Sequence, residues 1–173
     1  MTEFSIKNAA ITRTGFDYQD LIGIETLVEY FRDPDKYEWI QLESEDGEFG
    51  ALDDVVAALP DGTFELTQVK FTPRPDTYPL GWEWLLEKTP KGTSRLYKWA
   101  TSLKRLSLSG KVKSACLRTN RRPDSEFAKS LAGALVDMGA LDDSTRATVE
   151  KELGGAAEAE SFFRALSSST QSR

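Results

Sequence analysis

Two short apolar segments separated by a tight turn are the feature that most constrains the fold of this chain. Residues 52–59 and 64–71 carry the valine, leucine and phenylalanine pattern typical of strands, and Pro60-Asp61-Gly62 lies between them. Proline presets φ at the first turn position, and glycine tolerates the positive φ that such a loop requires. The pattern predicts a β-hairpin with a three-residue loop, in which Leu59 faces Thr63.

This hairpin register places polar side chains together on one face of the sheet. Asp54 falls opposite Gln68, and Lys70 is the diagonal neighbour, because side chains alternate with a period of two. Hydrolysis of a phosphodiester needs a divalent cation, an activated water and a stabilised leaving group. Asp54 is a candidate metal ligand, Gln68 offers a carbonyl oxygen, and Lys70 suits water positioning or charge stabilisation. Asp53 or Glu43 could be a further metal ligand.

The absence of histidine restricts the chemistry further. It excludes nucleophiles activated by histidine and metal sites that need imidazole. The single cysteine, Cys116, excludes an internal disulfide and a zinc site built mainly of cysteines. Any metal must therefore be bound by oxygen atoms, which suit magnesium, manganese or calcium. A simpler interpretation of the hairpin stays open, because polar side chains are common on the exposed face of a sheet.

The chain length of 173 residues suits one domain with a sizeable core. We expect residues 1–166 to form this domain and residues 167–173 to be a linker-like tail, because that segment is mostly serine and threonine. No apolar run approaches the roughly 20 residues of a membrane span, and no signal peptide opens the sequence. The expected location is the cytoplasm, without a membrane partner.

Hydrophobic periodicity predicts the other elements. Residues 2–14 are predicted to form a short strand or arm, and part of 76–92 is predicted to be helical. The predicted strands outside the hairpin are 39–42 and 113–119, and the predicted helices are 15–31, 94–106, 124–138, 142–153 and 157–166. The apolar stripe expected on the first helix consists of Leu21, Ile24, Val28 and Phe31. The whole pattern predicts an α/β fold with helices flanking a mixed sheet and a helical C-terminal region.

Charge is distributed unevenly along the chain. Residues 1–60 hold 4 basic and 14 acidic side chains, whereas residues 61–130 hold 14 basic and 7 acidic ones. A basic middle segment is compatible with a polyanionic partner although the net charge is −6. A solvated helix face is the alternative explanation for such a charge run. The candidate DNA-binding residues are Arg95, Lys98, Arg105, Arg121 and Arg122.

Three motifs in order resemble the PD-(D/E)xK restriction-endonuclease-like superfamily. They are Gly15-Phe16-Asp17-Tyr18-Gln19 opening a helix, then Asp53-Asp54-Val55, then Gln68-Val69-Lys70. The resemblance spans residues 13–122 and is strongest to the nuclease domains of Cap-type effector endonucleases of bacterial CBASS anti-phage defence. It implies a restriction-endonuclease-like mixed sheet flanked by helices, and cleavage of double-stranded DNA with little sequence specificity. Mg²⁺ would be the cofactor, and Mn²⁺ would substitute for it.

The resemblance also implies roles for individual residues. Asp54 matches the metal-binding acid, and Gln68 and Lys70 match a Gln-x-Lys variant of the motif. Gln19 matches a position of the first helix that lines the site, and Asp53 is the neighbouring acid. Which of Asp53 and Asp54 is the main metal ligand stays open, although Asp54 shares the face of Gln68 and Lys70.

In that superfamily the nuclease is usually the N-terminal part of a longer protein. A C-terminal sensor or ATPase domain activates it, often through oligomerisation. The resemblance therefore implies that this chain is an excised effector domain, or that the sensor is a separate chain, and that the active form is a homo-oligomer. Two alternatives stay open: a catalytically silent nuclease fold that binds DNA or protein, and an interaction domain whose acidic first third binds a basic partner.

Overall fold

The computed structural model describes residues 3–44, 47–90 and 92–170. A 3₁₀ turn at Met138–Ala140 precedes the last two helices. The helices are α1 (Glu3–Arg32), α2 (Trp82–Leu86), α3 (Arg95–Leu108), α4 (Ser125–Lys129), α5 (Asp143–Leu153) and α6 (Ala156–Ala165). The strands are β1 (Trp39–Leu42), β2 (Val55–Ala58), β3 (Phe64–Lys70), β4 (Val112–Thr119), β5 (Leu131–Ala132), β6 (Leu135–Val136) and β7 (Leu166–Thr170).

Five of the strands form one mixed sheet in the order β1-β2-β3-β4-β7. The pairs β1/β2 and β2/β3 are antiparallel, whereas β3/β4 and β4/β7 are parallel. The parallel step from β3 to β4 needs a crossover, which the segment containing α2 and α3 provides. The predicted α/β class, a mixed sheet flanked by helices with helices at the C-terminal end, is confirmed.

The predicted hairpin register is confirmed as well. The Leu59 backbone N–H donates to the Thr63 carbonyl oxygen at 2.8 Å, so the loop contains three residues. Val55 faces Thr67 in the β2/β3 ladder, and one step further Asp54 faces Gln68. Strand β2, Val55–Ala58, is shorter than the predicted segment 52–59.

The two faces of the sheet are covered differently. The main core lies on one face, where helices α2, α3, α5 and α6 pack against side chains such as Val56, Leu66 and Leu117. Helix α1 lies on the other face over a small cluster of Ile22, Val55 and Val69. Because β3 alternates, Gln68 and Lys70 share the face of Leu66 and therefore the main-core side.

Helix α1 differs from the sequence prediction in two ways. It begins at Glu3, so residues 3–14 are helical rather than a strand or arm. The predicted stripe faces solvent, with Phe31 79% exposed, whereas Ile22 is buried against the sheet. Periodicity identifies an apolar face but not its partner, and α1 is held to the sheet partly by the ion pair of Arg118 with Glu25 at 2.5 Å.

The C-terminal region contains two further differences. The predicted helix 124–138 ends at Lys129, where a small hairpin begins, and Gly133 supplies its positive φ of 67°. The segment read as a linker-like tail instead pairs with β4 as strand β7 up to Thr170, and residues 171–173 lie outside the described ranges. Backbone pairing at a sheet edge needs no apolar alternation, so its serines carried no strand signal. No helix in the described ranges has the length and apolar character of a membrane span.

Candidate active site

Glu43, Asp54 and Gln68 form one row across three neighbouring strands. The Glu43 backbone N–H donates to the Asp54 carbonyl oxygen at 3.1 Å, which continues the β1/β2 ladder by one step. Asp54 in turn faces Gln68 by the register of β2 and β3. Adjacent strands lie about 4.8 Å apart, so the backbones of these three residues are direct neighbours across the sheet. Lys70 completes the group as the last residue of β3.

The Asp54 carboxylate is the centre of this group. Its Oδ2 atom accepts hydrogen bonds from the Val69 backbone N–H at 2.6 Å, from Lys70 Nζ at 3.3 Å and from Gln68 Nε2. Asp54 is mostly shielded from solvent, whereas Lys70 is about one third exposed. The carboxylate is therefore held in one orientation, while the lysine reaches the surface.

Gln68 is only 3% exposed, and a buried amide usually has hydrogen-bond partners for its nitrogen and its oxygen. Its amide nitrogen bonds to Asp54. A half turn of the amide would present the carbonyl oxygen at the same place, because the two ends have the same shape. Gln68 can thus bind the neighbouring carboxylate directly or share a cation with it.

Gln19 reaches the site from the opposite side of the sheet. Its Nε2 atom donates to Glu43 Oε1 at 3.1 Å, so the first helix contributes a side chain to the row. Tyr18, the preceding residue, packs on Phe71 with ring centroids 5.6 Å apart. Because Phe71 directly follows Lys70, this contact fixes the start of the α1–sheet interface beside the site.

Asp53 adds a third carboxylate. Burial raises the pKa of Asp53 above its usual value, the charges of Asp54 and Glu43 raise it further, and Lys70 opposes the rise. The Ser44 backbone N–H donates to the Asp53 carbonyl oxygen at 3.1 Å, so this aspartate also belongs to the β1/β2 edge. The crowding of negative charge is what a bound cation would relieve.

The oxygen atoms around Asp54 could hold Mg²⁺ only if water molecules supply part of the coordination. Among the described residues, no three acidic, histidine or cysteine side chains converge tightly enough to bind an ion by themselves. Mg²⁺ commonly uses only one or two carboxylates and keeps several waters. The carboxylates of Asp54, Asp53 and Glu43 and the carbonyl of Gln68 are hard oxygen donors of the type that Mg²⁺ uses.

We expect Asp53→Asn to increase the free energy of unfolding at pH 7 in EDTA. A carboxyl whose folded pKa is raised favours folding at low pH, and that contribution is lost as the pH rises through the raised value. Burial and the neighbouring carboxylates disfavour the ionised form of Asp53, and asparagine avoids this cost. Urea unfolding measures the difference, and added Mg²⁺ should narrow it if Asp53 helps to bind the ion. A variant less stable than wild type in EDTA would contradict this expectation.

Glu43 has a left-handed backbone, with φ of 48°. Side chains with a Cβ atom pay about 1–2 kcal/mol for this conformation, whereas glycine does not. We therefore expect Glu43→Gly to be more stable than Glu43→Ala by about 1 kcal/mol. Both variants lack the carboxylate, so chemical unfolding isolates the backbone effect. Equal stabilities would mean that the chain relaxes out of the left-handed region.

The predicted DNA-binding residues are dispersed. Arg95 and Arg121 meet at the end of the sheet where β3 and β4 end, and Lys98 lies one turn further along α3. Arg122 forms an exposed ion pair with Asp76 at 2.7 Å. Arg105 instead donates to the carbonyl oxygens of the loop residues Gly47 and Glu48, at 3.0 and 2.5 Å. Arg105 lies in the last turn of α3, which precedes the start of β4, so it lies at the opposite end of β3 and β4 from Arg121.

Asn120 is a site residue to which the sequence analysis assigned no role. Its side chain accepts from the Thr72 backbone N–H at 2.8 Å and donates to the Thr72 carbonyl oxygen at 2.7 Å. The pair continues the β3/β4 ladder past Lys70 and Thr119 and fixes the chain that follows the lysine. In the sequence, only the place of Asn120 at the end of a predicted strand could have indicated that it anchors Thr72.

No family model matches the chain, and no curated protein or solved structure matches it either. The chemistry of the site must therefore be argued from the geometry of its own residues. The most specific part of that geometry is the Asp54 carboxylate between Gln68 and Lys70.

Proposed function

We propose that this protein is a metal-dependent endodeoxyribonuclease that cleaves double-stranded DNA with little sequence specificity. The observation that carries the proposal is the position of the Asp54 carboxylate, which lies between Gln68 and Lys70 and one ladder position from Glu43. The carboxylates and the Gln68 amide offer metal ligands, and Lys70 offers the positive charge that phosphodiester hydrolysis requires. Nothing in the described group suits a histidine-dependent mechanism, because the chain has no histidine.

In this proposal the chain's own residues have separate tasks. Asp54, Gln68 and one of the neighbouring acids Asp53 and Glu43 would bind Mg²⁺, or Mn²⁺ in its place. A bound divalent cation would polarise the scissile phosphate and lower the pKa of a water molecule. The water oxygen would bond to phosphorus and release a proton to solvent, while the bond to the leaving sugar oxygen would break and that oxygen would take up a proton from solvent. Lys70 would orient the water or stabilise the negative charge that develops on the phosphate.

Gln19 supports this arrangement from the first helix. Its hydrogen bond to Glu43 orients a carboxylate that would otherwise rotate freely at the surface. A positioning group of this kind affects how the acid presents its oxygens rather than the chemistry itself. We include Gln19 in the site on this basis.

The biological setting follows from the resemblance. We propose an effector of bacterial anti-phage defence that acts in the cytoplasm and is switched on by a sensor or ATPase domain, in the same or a partner chain. Cutting both strands of a duplex requires two sites that face opposite strands. A homo-oligomer is therefore the proposed active form.

The proposal is tested by plasmid cleavage at high protein concentration with Mg²⁺ or Mn²⁺. Wild type should nick or linearise the plasmid, and EDTA or Lys70→Ala should abolish the reaction. Cleavage that survives the lysine substitution would place the activity outside this site. If wild type is inactive, the assay is repeated with the domain artificially dimerised, and continued inactivity then rejects the nuclease.

A catalytically silent fold is the second candidate, and Gln68 favours it. An amide at this position removes one formal negative charge from the ligand set, and the described residues contain no ready-made carboxylate triad. Such a protein would bind DNA or another protein without cutting. Calorimetric titration with Mn²⁺ separates the candidates, because only the nuclease requires metal binding that depends on Asp54.

A further inference from the structure

Two arginines from separate segments meet at one tryptophan. Arg95, the first residue of α3, lies over the Trp84 ring with its guanidinium carbon 5.0 Å from the centroid. Arg121, which follows β4, lies over the same ring at 4.4 Å. Each guanidinium is anchored by a backbone carbonyl: Arg95 donates to that of Trp84 at 2.9 Å, and Arg121 to that of Tyr78 at 2.7 Å. The pair is thus held in place before any ligand arrives.

The arginine pair lies beside the candidate active site. Lys70 faces Thr119 in the parallel ladder of β3 and β4, and Arg121 follows only two residues later. Its backbone N–H donates to Thr119 Oγ1 at 3.1 Å, which ties it to the end of β4. Two residues of extended chain span about 7 Å. Helices α2 and α3 pack on the main-core face, which is also the face of Lys70.

Among the described residues around Trp84, positive charge exceeds negative charge. The positive charges of Arg95 and Arg121 repel each other, and burial followed by this repulsion lowers the pKa of Arg121. Glu87 is the carboxylate that opposes them, bonded to Arg95 at 2.6 Å, and its side chain is largely exposed. A guanidinium carries five N–H donors, so both groups keep donors beyond the bonds described. Two cations held together with spare donors favour an anionic ligand.

We propose that Arg95 and Arg121, held against Trp84, form a binding site for a backbone phosphate of DNA next to the scissile bond. The inference rests on the proposed nuclease function and specifies how the substrate is positioned. Trp84 acts as a positioning residue, because its ring holds the two guanidinium groups. The ring is therefore used for the arginines rather than for stacking on a base.

The test is DNA binding measured against salt, in EDTA so that no cleavage occurs. A short duplex is titrated by fluorescence anisotropy with wild type, Arg95→Gln, Arg121→Gln and the double variant. Log K falls with log salt by about 0.9 for each phosphate neutralised, so each single substitution should reduce the slope and the double variant, which loses the shared phosphate, should reduce it by about one. Lys104→Gln is the control, because it removes a positive charge from the same helix at an exposed residue that pairs with Glu158 of α6 at 3.7 Å.

Two further variants distinguish a binding role from a folding role. Arg121→Lys keeps the charge and should retain the wild-type salt slope, with weaker binding because the planar fork is lost. Glu87→Gln removes the opposing carboxylate and should strengthen DNA binding. A merely structural arginine pair would leave DNA affinity unchanged in Glu87→Gln. Thermal melting of each variant confirms that it is folded before binding is compared.

The outcomes separate this inference from the nuclease proposal. Unchanged salt slopes in Arg95→Gln and Arg121→Gln would overturn the phosphate site, whether or not the plasmid is cut. Reduced slopes with a wild type that never cleaves would support the phosphate site and reject the nuclease. If wild type shows no salt-dependent DNA binding, the phosphate site is rejected together with the DNA substrate.

Discussion

Asp54→Asn is expected to reduce metal-dependent DNA cleavage by roughly 10³-fold or more. Asparagine has the shape of aspartate but no charge, so it loses the attraction to Lys70 and most of the affinity for a divalent cation. The backbone N–H of Val69, which donates to Asp54 at 2.6 Å, can still bond to the asparagine oxygen. The fold should therefore persist while the chemistry fails. Single-turnover cleavage of a labelled duplex measures the rate.

The matched control is Asp61→Asn, in the turn at the other end of the same hairpin. Asp61 accepts hydrogen bonds from the backbone and hydroxyl of Thr63 at 3.0 and 2.5 Å, and asparagine also suits such a turn. Its cleavage rate should match wild type. Cleavage by Asp54→Asn at the wild-type rate would show that the metal is bound elsewhere. Mn²⁺ titration should find the affinity lost in Asp54→Asn and kept in Asp61→Asn.

Leu96→Ala is expected to reduce the free energy of unfolding by about 2–5 kcal/mol, the cost of removing a buried leucine from a packed core. Leu96 is 1% exposed and lies in the first turn of α3, inside the main core. The same helix offers the comparison, because Leu108 at its end is 81% exposed. Leu108→Ala should change the stability by about 0.5 kcal/mol or less.

Urea unfolding of both variants gives the two values, and the slopes with denaturant should stay similar. Leucine and alanine have nearly equal helix propensities, so the difference between the variants measures burial alone. A loss of about 2–5 kcal/mol in both variants would mean that Leu108 is covered in solution, for example by another copy of the chain. A loss of about 0.5 kcal/mol or less in both variants would mean that the core around Leu96 relaxes to fill the cavity.

The candidate site was predictable because its determinants are local. A three-residue loop sets the register of a hairpin, and the register alone places Asp54 opposite Gln68 and on the face of Lys70. The N-terminus of α3 was equally readable, since Ser94 accepts a hydrogen bond from the Tyr97 backbone N–H as a capping residue should. Short-range geometry of this kind depends on a few neighbouring residues.

The roles of the arginines were not predictable, because they depend on segments distant in sequence. Arg95, Arg105 and Arg118 look alike in the chain. Arg95 contacts Trp84, and Arg105 binds a loop at the opposite end of β3 and β4. Arg118 pairs with Glu25 of α1. A long flexible cation finds whichever carbonyl, ring or carboxylate the packing places nearby. Only the tertiary arrangement decides which of them is available to a ligand.

The sequence by itself determined the hairpin, its register and the α/β class, and its lack of histidine excludes imidazole chemistry. Those properties follow from turn geometry, side-chain alternation and composition, which act over a few residues. The tertiary structure decided that α1 exposes its apolar stripe, that the serines after Leu166 form a strand, and that Arg95 and Arg121 share Trp84. These outcomes depend on which surfaces meet when the sheet and helices pack, and no local pattern carries that information.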